Sequence, residues 1–414
     1  MSEGVTRFDV VVAGGGMVGS ALGCALSMEG FRVAVVELRE PRLSWPAEEV
    51  DLRVSALTRA SQRVLENLGA WEHIRQLRAS PYGGMLVWDA AGRGRVRFDA
   101  AEIGEPDLGH IVENRVTQLA LWERLGELGT ATRFAPDRIR RVERTGPTPR
   151  VYLDGGAVLE CQLVVAAEGA NSPVREMAGI GSSGWAYDQH AIVATVWPEH
   201  HHGAVARQRF MPNGPLALLP IDDGRCSIVW STAPAHAEHL MTLEDAAFCR
   251  ELSEASEYAL GAVTRVGPRG CFPLRLRNAD HYVQPGLALV GDAAHGIHPL
   301  AGQGVNLGFL DMAALVDVLV EARGTGRPLG SMATLRRYER ARKGANIAML
   351  GAMDAFKRLF SNRNIPLGLL RNLGLALADR SGPLKGLIIR RALGLIGELP
   401  TLARRTVGGP GGGA

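Results

Sequence analysis

The sequence has few cysteines, little net charge and no long hydrophobic run. Its five cysteines are scattered through 414 residues without a CxxC pair, which argues against a disulfide framework and a structural zinc site and suits a reducing compartment. A net charge of +3 is too small to indicate nucleic acid as a partner. With 46% hydrophobic and 21% charged residues, the chain is expected to be globular, as two or three domains or one large domain built around a ligand.

One uncharged stretch of nineteen residues, between Asp9 and Glu29, is long enough to imitate a membrane span or a signal sequence. Its order argues against both, because a short β-branched run (residues 8–13) is followed by three glycines and then by a helical rhythm (residues 17–28). Elsewhere no uninterrupted apolar segment could cross a bilayer. We therefore expect a cytoplasmic protein, either soluble or peripheral on the inner face of the cytoplasmic membrane.

The glycines of the first turn have the GxGxxG spacing, at Gly14, Gly16 and Gly19. In a dinucleotide-binding unit the first glycine allows a sharp turn, the second lets the backbone approach a pyrophosphate, and the third lets helix and strand pack closely. A second strand (residues 32–36) follows and ends in Glu37, whose carboxylate can hold a ribose hydroxyl. With the unpaired N–H groups of the helix N-terminus, these features predict a dinucleotide site.

A second glycine-rich stretch, GDAAHGIHPLAGQGVNLG (residues 291–308), follows the apolar run at 287–290. Asp292 stands just past the carboxyl end of this strand, where α/β sheets bind ligands, and can accept a hydrogen bond from a ribityl hydroxyl. Gly302 and Gly304 open a helix and let a flat ring system lie against backbone, and the helix dipole would stabilise the negative charge of a reduced flavin. The two stretches together predict FAD. A nicotinamide dehydrogenase would leave the second one unexplained.

These motifs resemble those of FAD-dependent aromatic hydroxylases of the para-hydroxybenzoate hydroxylase fold, and within that group the ubiquinone-biosynthesis hydroxylases of the UbiH/UbiI/UbiF type. The matching pieces span residues 8–395 in the family's order: GGGMVGSALGCAL with Glu37, DLRVSALTRAS, EGANSPVR, RFMPNGPLALLPI and GDAAHGIHPLAGQGVNLG. The resemblance implies that Arg53 lies near the flavin, and we add Asn306 to the predicted cofactor-binding residues. The ENRV segment at 113–116 is expected near the ribityl chain, in a register that the sequence does not fix.

Glu168 departs from the family pattern, which usually has aspartate at the start of the middle motif. Glutamate keeps the charge but adds one methylene, so the carboxylate must sit differently or the backbone must adjust. The family associates this motif with both FAD and the nicotinamide donor. FAD binding is therefore still expected, whereas the electron donor, NAD(P)H by resemblance, is left open.

The predicted fold class is α/β: an FAD-binding Rossmann-type domain of the para-hydroxybenzoate hydroxylase type, an inserted, mostly antiparallel β-sheet substrate domain, and C-terminal helices. The predicted boundaries are 1–75, 100–180 and 275–325 for the discontinuous FAD-binding domain, 76–99 and 183–271 for the substrate-domain sheet, 326–406 for the C-terminal helices and 407–414 for a glycine-rich disordered tail. The β-rich runs between Ser183 and Cys271 predict a sheet that lies over the flavin. The residues expected to line it are Phe210, Leu216, Leu218 and Trp230.

No metal site is predicted. The run of Glu199 and three histidines (200–202) precedes Gly203 in a predicted hairpin loop, and no second ligand group is spaced to complete a tetrahedral set. His295 and His298 form an HxxH pair, but the glycines around them favour loop shaping and flavin packing over zinc.

The C-terminal segment is basic, with ten Lys or Arg and three Asp or Glu from Asp354 onward, interleaved with apolar residues. Two interpretations are open and can both hold. The helices can pack on the protein's own body with solvated basic faces, or a basic amphipathic face can contact an anionic membrane surface or a partner enzyme.

The predicted reaction is hydroxylation of the ring of a polyprenylated phenol or quinol by molecular oxygen, through a flavin C4a-hydroperoxide protected in a dry pocket. A general base would speed the reaction of a phenol, but no residue of the sequence identifies itself as that base or as any other catalytic group. Three rival hypotheses are a prenyl-chain reductase of the same fold, a hydroxylase of a small non-prenylated aromatic, and a non-catalytic FAD-bearing scaffold.

Overall fold

A computed structural model describes residues 5–90, 94–146, 148–296, 304–361 and 382–404. The predicted tail at 407–414 and the predicted site residue Gly302 lie outside these ranges. Within them, no helix is long and apolar enough to span a membrane.

The strands occupy both halves of the chain. In chain order they are β1 Thr6–Arg7, β2 Val10–Ala13, β3 Val33–Val36, β4 Val54–Thr58, β5 Ser80–Tyr82, β6 Gly84–Asp89, β7 Arg95–Asp99, β8 Gly109–Glu113, β9 Ala131–Phe134, β10 Ile139–Glu143, β11 Arg150–Leu153, β12 Val158–Glu160, β13 Leu163–Ala166, β14 Ser182–Pro198, β15 Val205–Met211, β16 Gly214–Pro220, β17 Cys226–Thr232, β18 Val263–Ala279, β19 Val283–Gln284, β20 Leu287–Leu289 and β21 His295–Gly296.

The α-helices of the described ranges alternate with these strands at first and follow them at the end. They are α1 Met17–Met28, α2 Arg59–Asn67, α3 Trp71–Arg78, α4 Asn114–Glu127, α5 Pro173–Met177, α6 Pro234–Thr242, α7 Asp245–Ala255, α8 Gly304–Gly324, α9 Met332–Ser361 and α10 Gly382–Ala392.

A six-stranded sheet in the order β19-β20-β13-β2-β3-β9 forms the centre of the first layer. All its pairs are parallel except β19 with β20. Strands β2, β3 and β13 read VVVA, VAVV and LVVA and are fully buried, as expected for parallel strands covered on both faces. Helices α1 and α8 pack on each other beside this sheet. The carboxyl ends of β2, β3, β13 and β20 therefore meet at one edge.

The second layer is an eight-stranded sheet in the order β21-β18-β14-β17-β16-β15-β6-β7. Its neighbours are antiparallel apart from β15 with β6. Helices α6 and α7 cover one face, where Leu240, Phe248 and Leu252 join an apolar cluster with side chains of the sheet. The other face is turned toward the six-stranded sheet. Two smaller sheets, β4-β8-β5 and β1-β12-β11-β10, complete the fold.

The C-terminal helices pack on the protein's own body. Helix α9 lies on α8, and α10 lies on a short 3-10 helix at Ala100–Ile103. Lys385 forms an ion pair with Glu102 at 2.8 Å, and Arg390 donates a hydrogen bond to the Ile103 carbonyl at 2.8 Å. Lys385 and Arg390 therefore agree with the interpretation in which the basic segment packs on the protein's own body.

Candidate active site

A cleft of about 930 Å³ lies between the carboxyl edge of the six-stranded sheet and the facing side of the eight-stranded sheet. Of the predicted cofactor-binding residues, Gly14, Gly16, Glu37, Arg53, Asp292 and Gly304 line it. Gly19 and Asn306 stand behind its surface. The fold thus brings together residues that are almost 300 positions apart in the sequence. Gly14, Glu37 and Asp292 meet because the strands that they follow, β2, β3 and β20, run parallel and end at this edge.

The three glycines of the first turn differ in what a side chain would meet at each position. Gly14 has a φ of +99°, and a Cβ there would lie 2.7 Å from the Ala167 carbonyl oxygen. A Cβ at Gly19 would lie 1.9 Å from the Gly14 carbonyl oxygen, so α1 could not pack against the turn. A Cβ at Gly16 would meet no atom within 4 Å, because this position opens into the cleft. Gly16 is also the N-cap of α1, without a side chain to bond the first-turn N–H groups.

Glu37 follows β3 and reaches back to the glycine turn. Its carboxylate accepts hydrogen bonds from the Gly15 N–H at 2.6 Å and from the Arg39 N–H at 3.1 Å. These bonds hold the carboxylate at the cleft surface beside the N-terminus of α1, where a ribose hydroxyl can reach it.

The register of the ENRV segment is fixed by helix α4. Asn114 lines the cleft, whereas Glu113 is buried in ion pairs with two arginines. Gln118 also lines the cleft and donates a hydrogen bond to the Gly15 carbonyl at 3.0 Å. The sequence interpretation missed Gln118. Its spacing of four residues from Asn114 on one helix face is the signal that would have found it.

The Asp292 side chain is accessible inside the cleft, just past β20. The surrounding protein limits its hydration and raises its pKa, while His295 and Arg53 act in the opposite direction. Arg53 lines the same cleft. The end of the sheet therefore offers one hydrogen-bond acceptor and one cation to a bound ligand.

The start of α8 shows a difference from expectation at Asn306. This side chain donates a hydrogen bond to the Ala56 carbonyl at 2.8 Å and accepts one from the Thr58 N–H at 3.0 Å. It is buried and joins α8 to β4, so it does not extend into the cleft. Gly304, the first residue of α8, does line the cleft.

Glu168 remains in the cleft despite its extra methylene. Its carboxylate accepts hydrogen bonds from the Ser172 hydroxyl and from the Val174 N–H at the start of α5. Burial raises the pKa of Glu168, and these two hydrogen bonds act in the opposite direction. The longer side chain is accommodated because it bends back onto its own motif.

The wall formed by the eight-stranded sheet is mostly apolar. The residues of this wall that line the cleft are Ala191, Val193, Ser227, Val229, Phe272, Pro273, Leu274, Arg275 and Arg277. Among these described residues no side chain is a carboxylate or an imidazole. Glu37, Glu168 and Asp292 all belong to the opposite wall.

The predicted lining of this wall was wrong. Leu216, Leu218 and Trp230 belong to the apolar cluster under α6 and α7, on the face turned away from the cleft. Phe210 packs with Val87 and Val96 near the far edge of the sheet. Side chains alternate between the two faces of a strand, and the sequence does not show which of two apolar faces meets the cofactor.

Two of the histidines singled out in the sequence, His202 and His295, bond to protein groups. A ring nitrogen of His202 lies 2.7 Å from the Ile221 carbonyl oxygen, and one of His295 lies 2.5 Å from an Asp311 carboxylate oxygen. Within the described ranges, which exclude His298, no group of three His, Cys, Asp or Glu side chains could hold a metal ion.

The model of the family described as "FAD binding domain" matches residues 7–350. The 3-demethoxyubiquinol 3-hydroxylase of Escherichia coli (strain K12) is 43% identical over 387 residues, which cover 94% of this chain and 98% of that protein. The ubiquinone hydroxylase UbiL of Rhodospirillum rubrum is 40% identical over 388 residues, covering 94% of this chain and 90% of that protein.

Among solved structures, p-nitrophenol 4-monooxygenase PnpA from Pseudomonas putida DLL-E4 superposes with a TM-score of 0.75. It covers 94% of this chain and 97% of its own length at 19% identity, so the likeness concerns the fold alone. With the family match, it confirms the predicted fold class, and the family match by itself confirms the predicted FAD cofactor.

Proposed function

The chain belongs to the FAD binding domain family, and from this premise we propose that it is an FAD-dependent monooxygenase that hydroxylates the ring of a polyprenylated phenol or quinol in ubiquinone biosynthesis. The observation that carries the proposal is the cleft with two unlike walls. One wall has open backbone and carboxylates suited to FAD, and the other presents mostly apolar side chains to the same space. A cofactor and an apolar aromatic ring can therefore meet in one cavity.

The residues of the first wall fit FAD. The open position of Gly16 and the uncapped N-terminus of α1 suit the pyrophosphate, and Glu37 suits a ribose hydroxyl. Asp292 and Arg53 suit the ribityl chain and the flavin ring. Bound FAD supplies the activation of molecular oxygen, while the chain's residues orient the reactants and keep water out.

The substrate class is supported by the relatives and by the second wall. The two relatives are named for hydroxylation of 3-demethoxyubiquinol and of ubiquinone. Ala191, Val193 and Val229 form an apolar surface, and the Ser227 hydroxyl can bond a ring oxygen. The described residues of this wall include no carboxylate or imidazole that could take a proton from the ring hydroxyl, whereas Arg275 and Arg277 place cations beside the same space.

We expect NAD(P)H to reduce the enzyme. The departure at Glu168 does not remove a carboxylate from the cleft, because Glu168 still lines it. The rates at which the purified protein oxidises NADH and NADPH in the presence of a prenylated phenol test this expectation. Oxidation of neither nucleotide would contradict it and point to another electron source.

We also propose that the enzyme works at a membrane surface, since a polyprenyl tail resides in the bilayer. On α10, Leu387 is 54% exposed, and Arg391, about one turn further along, is exposed as well. An apolar residue beside an arginine suits an anionic lipid surface. In flotation with anionic vesicles, Leu387→Glu should reduce binding several-fold without loss of FAD. Equal binding by the variant would contradict a role for this face.

Deletion of the gene tests the substrate class in the cell. We expect a prenylated phenol or quinol that lacks one hydroxyl to accumulate and ubiquinone to fall. The intact gene should restore ubiquinone, whereas a Gly16→Leu variant should not. Unchanged ubiquinone without such an intermediate would contradict the substrate class and favour a small-aromatic hydroxylase or a prenyl-chain reductase.

A further inference from the structure

Behind the Asp292 loop lies a cluster of buried polar side chains that the proposed reaction does not use. It consists of Asp311 on α8, His295 on β21, and Arg342 and Asn346 on α9, called here the Asp311 cluster. Asp311 and Asn346 are 0% exposed, His295 is 1% exposed and Arg342 is 6% exposed. Buried charges are costly unless they are paired, so such a cluster in the interior calls for an explanation.

The Asp311 carboxylate holds both ends of the loop that carries Asp292. One oxygen, Oδ2, accepts a hydrogen bond from the Gly291 N–H at 3.2 Å and lies 2.5 Å from the His295 Nε2. Asp292 stands between these two contacts. The Asp292 loop is therefore held on its inner side by one oxygen atom of Asp311, while the Asp292 carboxylate faces the cleft.

The other carboxylate oxygen of Asp311, Oδ1, is bound from α9. It accepts hydrogen bonds from the Arg342 Nε at 2.8 Å and the Asn346 Nδ2 at 3.0 Å. Arg342 in turn donates to the Asn346 Oδ1 at 2.9 Å, so the two side chains hold each other in place. The loop, α8 and α9 thus share one carboxylate.

The neighbours of the Asp311 carboxylate favour its charged form. Burial by itself would raise its pKa, but His295 and Arg342, with the hydrogen bonds they and Asn346 make, outweigh burial and lower the pKa of Asp311 to about 2. Loss of the charge on Asp311 would leave Arg342 buried without a counter-ion.

Helix α9 also contacts the eight-stranded sheet, which forms the second wall of the cleft. Leu350, one turn after Asn346, is buried in an apolar cluster with Leu276 of β18 and with Ile389 and Leu393 of the C-terminal segment. One rigid helix therefore joins the back of the cofactor loop to the packing of the C-terminal segment on the eight-stranded sheet.

We propose that Asp311 is a positioning residue for the FAD site, and that Arg342 and Asn346 make the geometry of the Asp292 loop depend on the docking of α9. It also follows that a displacement of α9, on which the C-terminal segment packs, alters FAD affinity without direct contact with FAD. This inference rests on the FAD cofactor alone, so it stands or falls independently of the substrate class.

The test uses Asp311→Asn in the full-length protein, which keeps the size of the side chain and removes its charge. FAD affinity is measured by fluorescence titration, and protection of backbone amides in the apo protein is measured by hydrogen exchange. We expect FAD to bind about ten- to a hundredfold more weakly, because a displaced loop would lose the charged hydrogen bond expected between Asp292 and FAD. Exchange should accelerate in residues 287–296, whereas the turn at Gly14–Gly19 should keep its protection.

Asp317→Asn is the matched control. Asp317 lies on the same helix, but its carboxylate accepts from the Thr401 N–H at 2.9 Å, away from the cleft. It should leave FAD affinity and loop protection unchanged. An unaltered FAD affinity in Asp311→Asn, or an equal loss of protection at the loop and at the glycine turn, would overturn the positioning role.

The coupling to α9 is tested separately by Arg342→Gln, with Arg337→Gln as its control. Like Arg342, Arg337 lies on α9, but it pairs at the surface with Glu321 of α8, at 2.6 Å. We expect Arg342→Gln to weaken FAD and to loosen residues 287–296, and Arg337→Gln to do neither. If Arg342→Gln leaves both unchanged, α9 does not control the loop. Should Asp311→Asn fail to fold, the double variant Asp311→Asn with Arg342→Gln removes both charges and is read by the same two criteria.

Discussion

The two walls of the cleft differ in how the sequence encodes them. The cofactor wall depends on backbone: glycines at fixed spacing and carboxylates placed directly after parallel strands. The sheet wall depends on the size and polarity of side chains that alternate along β14, β17 and β18. A pyrophosphate needs a particular backbone geometry, whereas an apolar ring and tail need only a surface of the right shape. Recognition of the cofactor therefore leaves a motif in the sequence, and recognition of the substrate does not.

The largest effect is expected when the backbone of the cofactor wall is obstructed by Gly16→Leu. No protein atom lies within 4 Å of a Cβ at this position, so the new side chain would occupy the space open to the pyrophosphate while the fold tolerates it. FAD should bind at least about a hundredfold more weakly in a fluorescence titration, with little change in the apo protein's Tm. Gly344→Leu, at another open position on α9, should retain FAD. Full FAD content in Gly16→Leu would mean that the phosphates lie elsewhere.

The assignment of the two sheet faces can be tested with adjacent residues of β17. Ile228 is 0% exposed in the cluster under α6 and α7, so Ile228→Ala should lower the free energy of unfolding by about 2–5 kcal/mol and leave FAD affinity intact. Val229 lines the cleft, so Val229→Ala should cost less stability and should raise KM for the aromatic substrate or the fraction of oxygen released as hydrogen peroxide. Urea denaturation and product analysis separate the two, and the opposite pattern would show that the faces are exchanged.

On the cofactor wall, Asp292→Ala removes a single carboxylate without obstructing the cleft. Loss of a charge-assisted hydrogen bond should cost about 1.5–3 kcal/mol of FAD binding, which is roughly a ten- to a hundredfold rise in Kd. Calorimetric titration of the apo protein measures it, with Asp317→Asn as a control. An unchanged Kd would mean that Asp292 does not contact the cofactor.

The smallest effect is expected from Glu168→Asp, which restores the residue usual in the family. The shorter side chain should lose part of its hydrogen bonding to Ser172 and to the Val174 N–H, worth about 0.5–1.5 kcal/mol of unfolding free energy. FAD affinity should change little. If the motif serves the electron donor, the ratio of kcat/KM for NADH and NADPH should shift in this variant, and an unaltered ratio would separate Glu168 from donor use.

The parts that could be predicted from sequence are those fixed by local backbone requirements. The βα turn at Gly14–Gly19, the acidic residue after β3 and Asp292 after β20 all follow from short-range rules. Gln118 could have been found from its four-residue spacing from Asn114 on α4, whereas the inward face of the sheet could not be found in that way, because it depends on which face α6 and α7 cover. The Asp311 cluster was missed for the same reason, since its members lie on three elements and their polarity has meaning only once they are buried together.

The most direct test supplies the FAD-loaded protein with NAD(P)H, ¹⁸O₂ and a prenylated phenol, and follows oxygen consumption and product mass together. We predict one ¹⁸O atom on a ring carbon of each product molecule, with oxygen consumed in step with the product and the prenyl double bonds unchanged. A product that lacks ¹⁸O and has gained hydrogen across its prenyl double bonds, or oxygen consumption that yields only hydrogen peroxide with every phenol tested, would contradict the assignment as a ring hydroxylase.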